Sequence, residues 1–170
     1  TGYTGERGGE IFVPNHAALA LWEALIEQGQ DLGVAPIGLG ARDTLRLQKG
    51  FCLYGNDIDE ETTPIEAGLS WTVRFDKGDF NGRSVLLKQK EEGVTRQLKP
   101  ILMEDRGIPR HGYSVKCTTG DGSITSGTML PGTRAAIAMA YVPVDEAEGS
   151  KVEVEIHGRW RQAVLTKLPF

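Results

Sequence analysis

The chain has 170 residues, with 25% charged and 39% apolar positions, which is the composition of a folded globular protein and not of a disordered one. Its formal net charge of -4 argues against a nucleic-acid binder, which usually carries a concentrated basic excess. No apolar run approaches the ~20 residues that a membrane-spanning helix requires.

The N-terminal stretch Thr1-Gly2-Tyr3-Thr4-Gly5-Glu6 has no Met, no basic region and no apolar core. It is not expected to be a signal peptide, and it reads as the interior of a longer chain. Glu10-Ile11-Phe12-Val13 is short, β-prone and closed by Pro14, which predicts a strand. Asn15 is then the expected N-cap of a helix over 15–28, with Ala18, Leu21, Trp22, Leu25 and Ile26 at helical spacing and Gly29 at its end. A second helix is expected from Gly40 to Lys49, stopped by Gly50. On it Arg42, Leu45 and Arg46 share a face, because residues three and four apart are neighbours.

A long polar segment, Tyr54 to Pro64, reads as a loop, and its acidic run Asp57–Glu61 as a solvated part of that loop. The run lacks the spacing and central glycine of a calcium-binding EF-hand. Leu69, Trp71, Val73 and Phe75 alternate with Ser70, Thr72 and Arg74, which predicts a half-buried strand. Ser84–Glu92 reads as a short helix closed by Gly93. Beyond Gly93 six β-prone runs follow, 97–103, 113–117, 123–129, 135–142, 151–156 and 162–167, separated by Gly, Pro and Asp turns. Even spacing of short strands predicts a small antiparallel barrel. The expected organisation is therefore α+β, with one unit over 1–93 and a β-barrel over 94–170.

Most chemical motifs are missing. Gly38-Leu39-Gly40 opens like a dinucleotide fingerprint, but Asp43 stands where the third glycine belongs. His16, His111 and His157 are scattered, without zinc-ligand or nucleophile-elbow spacing, so no metal site is expected. Cys52 and Cys117 lack CxxC spacing and read as reduced thiols packed like small hydrophobes. Tyr3 and Glu10 near the predicted first strand, with Arg42 on the glycine-introduced helix, form a combination that composition and spacing alone do not select. Taken singly these are ordinary surface residues. As a set they offer a carboxylate for paired N–H donors, a guanidinium fork for carbonyl or carboxylate oxygens, and an aromatic wall.

Four blocks in order resemble the T-protein family of the glycine cleavage system, the folate-dependent aminomethyltransferases. They are Thr1–Glu6 running into Glu10-Ile11; Gly38–Leu47; Leu53–Asp59 with Thr63–Leu69; and Arg106–Tyr113 with Ile124–Thr128. The ending Lys167-Leu168-Pro169-Phe170 is similar too. The resemblance implies part of an α+β folate-binding region followed by a C-terminal antiparallel barrel. It implies transfer of a one-carbon unit from the aminomethyl-lipoyl arm of H-protein to tetrahydrofolate, with ammonia released. Neither nucleic acid nor membrane is an implied partner, and the parent is expected to be monomeric, in bacterial cytoplasm or the mitochondrial matrix. By the resemblance Glu10 contacts the pterin, Arg42 is a second folate contact, and Tyr3 lines the same pocket.

Gly9 departs from the family, which usually carries an apolar side chain there. The family's catalytic aspartate is expected upstream of Thr1, so no catalytic residue is assigned and the chain alone is expected to be inactive. The rival readings are the folate-binding portion of a dimethylglycine or sarcosine dehydrogenase, and a non-catalytic folate-binding relative. The phrase Leu53-Tyr54-Gly55-Asn56-Asp57 favours the T-protein over the dehydrogenases, and the cysteine motif of the non-catalytic relative is not present.

Overall fold

The computed structural model describes residues 2–170, so Thr1 of the opening block lies outside the described residues. The chain divides into two compact units, Thr1–Arg46 and Leu47–Phe170.

The first unit carries helix α1 (Asn15–Gln28) and, through Arg46, most of helix α2 (Leu39–Gln48). Both lie within one residue of the expected ends, because helical periodicity and the terminal glycines are local signals. The predicted cap is corrected: Pro14 occupies the N-cap position, and no side chain caps the helix. Proline fixes φ at this boundary without donating a hydrogen bond, so Asn15 becomes the first helical residue. The predicted strand at 10–13 is also corrected, since that segment is irregular. A strand is stabilised by a paired ladder, and β propensity alone does not supply one. No residue of α1 is buried; Trp22 is 52% and Leu25 45% exposed.

The second unit begins with turns. The segment 53–69 folds on local hydrogen bonds. The Thr63 N–H donates to Glu66 Oε2 at 2.9 Å and the Glu66 N–H to Thr63 Oγ1 at 3.2 Å, a reciprocal capping box. The strand predicted over 69–75 is replaced by two short 3-10 turns, Ser70–Thr72 and Phe75–Lys77. Leu69 O accepts both the Thr72 N–H (2.9 Å) and the Thr72 hydroxyl (2.8 Å), so the chain coils back instead of extending. Helix α3 (Arg83–Glu92) follows and ends at Gly93, whose φ of +86° suits glycine.

Six antiparallel strands then close a barrel: β1 (Arg96–Met103), β2 (Ser114–Lys116), β3 (Asp121–Met129), β4 (Ala136–Pro143), β5 (Lys151–Ile156) and β6 (Arg159–Leu165). Their order around it is β1-β4-β3-β2-β5-β6, with β1 and β6 pairing to seal the seam. The α+β expectation and the small barrel are thus both observed.

Alternation sorts the side chains of β4. Ala136, Ala138, Ala140 and Val142 enter the barrel interior with Ile101, Val115 and Val154. Ile137, Met139 and Tyr141 point to a second, outer cluster with Leu47 and Leu98. Both faces of β4 are therefore buried, which is why it reads as a continuous apolar run and not as an alternating one. The small alanines suit a narrow barrel. The β5–β6 hairpin turns on His157 (φ 51°) and Gly158 (φ 72°), two consecutive left-handed residues as the right-handed strand twist demands. Neither Cys52 nor Cys117 is in a disulfide; both are half-buried, each packed against one of the two clusters.

Candidate functional site

The glycine-rich opening of α2 sets the first candidate group. Gly38 O accepts the Ala41 N–H at 3.2 Å and the Arg42 N–H at 3.5 Å, which starts the helix and places Arg42 in its first turn. The two arginines of α2 then part company. Arg46 is fully buried, and its Nε and Nη2 both donate to Asp43 Oδ1, at 2.8 and 2.6 Å. Arg42 is exposed, and its guanidinium lies 4.3 Å from the centre of the Tyr3 ring. Such a cation–π contact uses one face of the guanidinium and leaves its in-plane N–H donors for a ligand. Tyr3 is half-buried at the start of the bend that runs from Tyr3 to Arg7.

The structure thus brings Tyr3 and Arg42 into contact. Glu10 is exposed on the irregular segment before α1 and, among the described residues, makes no ion pair. It is not joined to the Tyr3–Arg42 pair by any hydrogen bond. Gly9 beside it faces open space, and an added Cβ would meet nothing within 4 Å.

A second polar group, in the Leu47–Phe170 unit, is one that the sequence did not reveal. Asp57 was expected to be solvated, but it is fully buried. Its Oδ2 accepts the Leu53 N–H at 2.9 Å, its Oδ1 accepts a very short hydrogen bond from the Thr125 hydroxyl, and its backbone carbonyl accepts Tyr141 Oη at 2.9 Å. Thr125 sits where the β3–β4 register shifts between Ile124 and Ser126. A bulge adds a residue to one strand and re-aims its side chain, so Ile124, Thr125 and Ser126 are buried in succession. The only signal in the sequence was a threonine inside an apolar-flanked strand, and its partner lies 68 residues away.

Around this anchor a cavity of about 200 Å³ is lined by Asn56, Asp59, Glu61, Arg96, His111 and Tyr141, among others. His111 Nδ1 is 2.9 Å from Thr125 O; a carbonyl only accepts, so Nδ1 is the donor in this contact. Glu66 accepts from Arg96 Nε at 2.9 Å. Burial works to raise its pKa, but the Arg96 and Thr63 hydrogen bonds outweigh it and hold the carboxyl below the usual range. Burial pushes the Tyr141 phenol up to about 12, so it stays protonated and donates. Among the described residues no group of three or more His, Cys, Asp or Glu side chains could hold a metal ion, and no helix is long and apolar enough to cross a membrane.

Comparison with known proteins gives similarity over nearly the whole chain. The GCVT N-terminal domain model matches residues 1–77, and the glycine cleavage T-protein C-terminal barrel domain model matches residues 96–170. An aminomethyltransferase of Halothermothrix orenii is 53% identical over 173 residues, covering 100% of this chain and 48% of the relative. One from Bacteroides fragilis is 50% identical over 174 residues, again 100% of this chain and 48% of the relative. The crystal structure of glycine cleavage system aminomethyltransferase T from Bartonella henselae superposes with a TM-score of 0.83 at 36% identity, covering 92% of this chain and 44% of that one. The chain spans about half the length of the curated relatives it matches.

Proposed function

The chain belongs to the glycine cleavage T-protein family, and from that premise we propose that it is the folate-contacting part of an aminomethyltransferase. In the proposed reaction an aminomethyl group held on the sulfur of a lipoyl arm, carried by H-protein, passes its carbon to tetrahydrofolate. The C–S and C–N bonds of that group break and two bonds from the carbon to folate nitrogens form. The protons displaced from those nitrogens leave with ammonia and the freed thiol. The catalytic aspartate expected from the family is placed outside these 170 residues, so this chain alone is proposed to be inactive. The proposed domain boundary stays near Gly93, with the barrel over 94–170. A full-length parent is proposed to be monomeric, in bacterial cytoplasm or mitochondrial matrix.

Within that reading each residue has a separate task. The Glu10 carboxylate accepts the exocyclic amine and ring N–H of the pterin side by side. Arg42 offers its fork to a pterin carbonyl or folate carboxylate oxygen. Tyr3 packs against Arg42 and supplies an apolar wall with a polar tip. The observation that supports this best is the Arg42 guanidinium held 4.3 Å over the Tyr3 ring, a positioned yet exposed donor. A dehydrogenase fragment is disfavoured by the family matches at both ends of the chain.

The test is calorimetric titration of tetrahydrofolate into a full-length family member carrying the equivalents of Glu10→Gln and Arg42→Lys. Glutamine turns one acceptor into a donor facing the pterin's own donors, a mismatch of about 1–3 kcal/mol, and affinity is expected to fall by about one to two decades. Lysine keeps the charge but loses the fork, and is expected to weaken binding without moving the melting temperature. Unchanged affinity in both variants refutes the site.

A further inference from the structure

The turn that opens α3 holds both parts of an intramolecular reaction. Phe80, Asn81, Gly82 and Arg83 form it: the Arg83 N–H donates to Phe80 O at 3.1 Å, and Gly82 has φ 83° and ψ -1°, the third-residue conformation of a type II turn. Asn81 and Gly82 are both exposed. Among the described residues no hydrogen bond engages the Asn81 side chain or the Gly82 N–H. A Cβ at Gly82 would meet nothing within 4 Å, so no neighbouring group shields the Asn81–Gly82 peptide. The chain has two other asparagines, and neither shares this setting. Asn56 donates its side-chain amide to Thr125 O at 3.4 Å, and the next N–H, that of Asp57, donates to Leu53 O at 2.8 Å. Asn15 is the first residue of α1 and is followed by His16, whose side chain crowds the peptide where glycine would not.

We propose that Asn81 is a site of spontaneous modification, converting to aspartate and isoaspartate through a cyclic imide formed with Gly82. The Gly82 nitrogen gives its proton to hydroxide and attacks Asn81 Cγ. A Cγ–N bond forms, the bond from Cγ to the amide nitrogen breaks, and that nitrogen takes a proton from water and leaves as ammonia. One water molecule then opens the imide. Cleavage at Cγ gives aspartate; cleavage at the Asn81 backbone carbonyl gives isoaspartate, in which the main chain runs through the side-chain carbon. Nothing is oxidised or reduced. Glycine leaves the attacking nitrogen unhindered. Ring closure needs the central peptide plane of the turn to rotate, which breaks only the hydrogen bond from Arg83 to Phe80. The new carboxylate stands just ahead of α3, where the positive end of the helix dipole favours negative charge, so the aspartate form keeps the fold. The site is independent of the proposed folate contacts.

The test is peptide mapping of the whole chain after storage in mildly alkaline and in mildly acidic buffer. Trypsin, cutting after Lys77 and Arg83, isolates residues 78–83 and leaves Asn15 and Asn56 in other peptides. The 78–83 peptide is expected to gain the mass that separates an acid from an amide, faster in alkali, and to split into two chromatographic products. Of these, the isoaspartyl form accepts a methyl group from S-adenosylmethionine and an isoaspartyl methyltransferase. The free synthetic peptide Gly-Asp-Phe-Asn-Gly-Arg is the clock. One turn hydrogen bond is worth at most about a tenfold shift in an equilibrium, so the folded chain is expected to convert within about tenfold of the peptide's rate. Asn81→Gln, whose longer side chain disfavours ring closure, is expected to show neither the mass gain nor the methylation. Conversion slower than that tenfold window, or an earlier mass gain at Asn15 or Asn56, overturns the proposal. Methylation undiminished in Asn81→Gln places the isoaspartate elsewhere and overturns it too. The readout is chemical and not turnover, so its failure leaves the aminomethyltransferase reading standing.

Discussion

The buried carboxylate Asp57 depends on donors that other segments bring to it. Thr125→Val removes the hydroxyl while keeping the shape, so a buried acceptor loses a partner at a cost of about 1–3 kcal/mol. Thr125→Ser keeps the hydroxyl and is expected to retain most of the stability. Urea midpoints of the three proteins give the comparison; equal losses for valine and serine would mean that packing and not the hydrogen bond matters. Glu146 makes a pH-dependent contribution of the same kind. It is 3% exposed, and burial works to raise its pKa. The Thr119 N–H and hydroxyl, at 2.7 and 2.8 Å from Oε1, outweigh that and leave the carboxyl below its ordinary value of 4.5. A depressed folded-state pKa stabilises the fold fully above the unfolded value, and this stability drains away as pH falls below 4.5 through the folded one. Denaturant midpoints are therefore expected to fall on acidification from pH 5 to 3, and Glu146→Gln to flatten that part of the profile. A profile unchanged by the substitution would assign the acid sensitivity to other carboxyls.

Among elements, β3 shows how backbone approach constrains sequence. A Cβ on Gly127 would stand 2.3 Å from Pro109 O, and one on Gly122 2.5 Å from Tyr141 O. Both obstacles are backbone atoms, which cannot swing aside like a side-chain tip. Gly127→Ala is expected to destabilise the barrel by about 1–3 kcal/mol, the usual scale of overpacking. Gly132→Ala is a useful contrast. There a Cβ meets open space, and only the left-handed φ of +71° is strained. Thermal denaturation decides between them: if Gly127→Ala melts with the parent, β3 yields more readily than the contacts imply.

At the scale of the whole molecule, burial is unequal. The barrel has a contiguous apolar interior, whereas α1 buries no residue and leaves Leu19 66%, Trp22 52% and Leu25 45% exposed. Local opening is easiest where few apolar contacts must break. Limited proteolysis is expected to cut within the Thr1–Arg46 unit first and to leave a resistant fragment containing 96–165. Hydrogen exchange should rank the amides of α1 well below those of β4. Resistance of α1 equal to that of β4 would show that its exposed face is covered in solution, for instance by self-association, since contiguous apolar patches of this kind favour it.

The sequence by itself determined helices over 15–28, 40–49 and 84–92, each within one residue of the observed ends, and the six barrel strands, because periodicity, terminal glycines and turn residues are local. It also carried the family, through motif blocks spread along the chain, and only through that resemblance were Tyr3, Glu10 and Arg42 read as one candidate group. It misread 10–13 and 69–75, where β propensity and alternation stood without a pairing partner, and a ladder is a non-local fact. Tertiary structure decided which of the two α2 arginines is buried on Asp43 and which stacks on Tyr3. It alone decided that Asp57 is interior, since the hydroxyl that receives it is re-aimed by a bulge in a strand far along the chain. Alternating side chains report which residues share a face. Which distant group meets that face is fixed only when the barrel closes and the strand register is set.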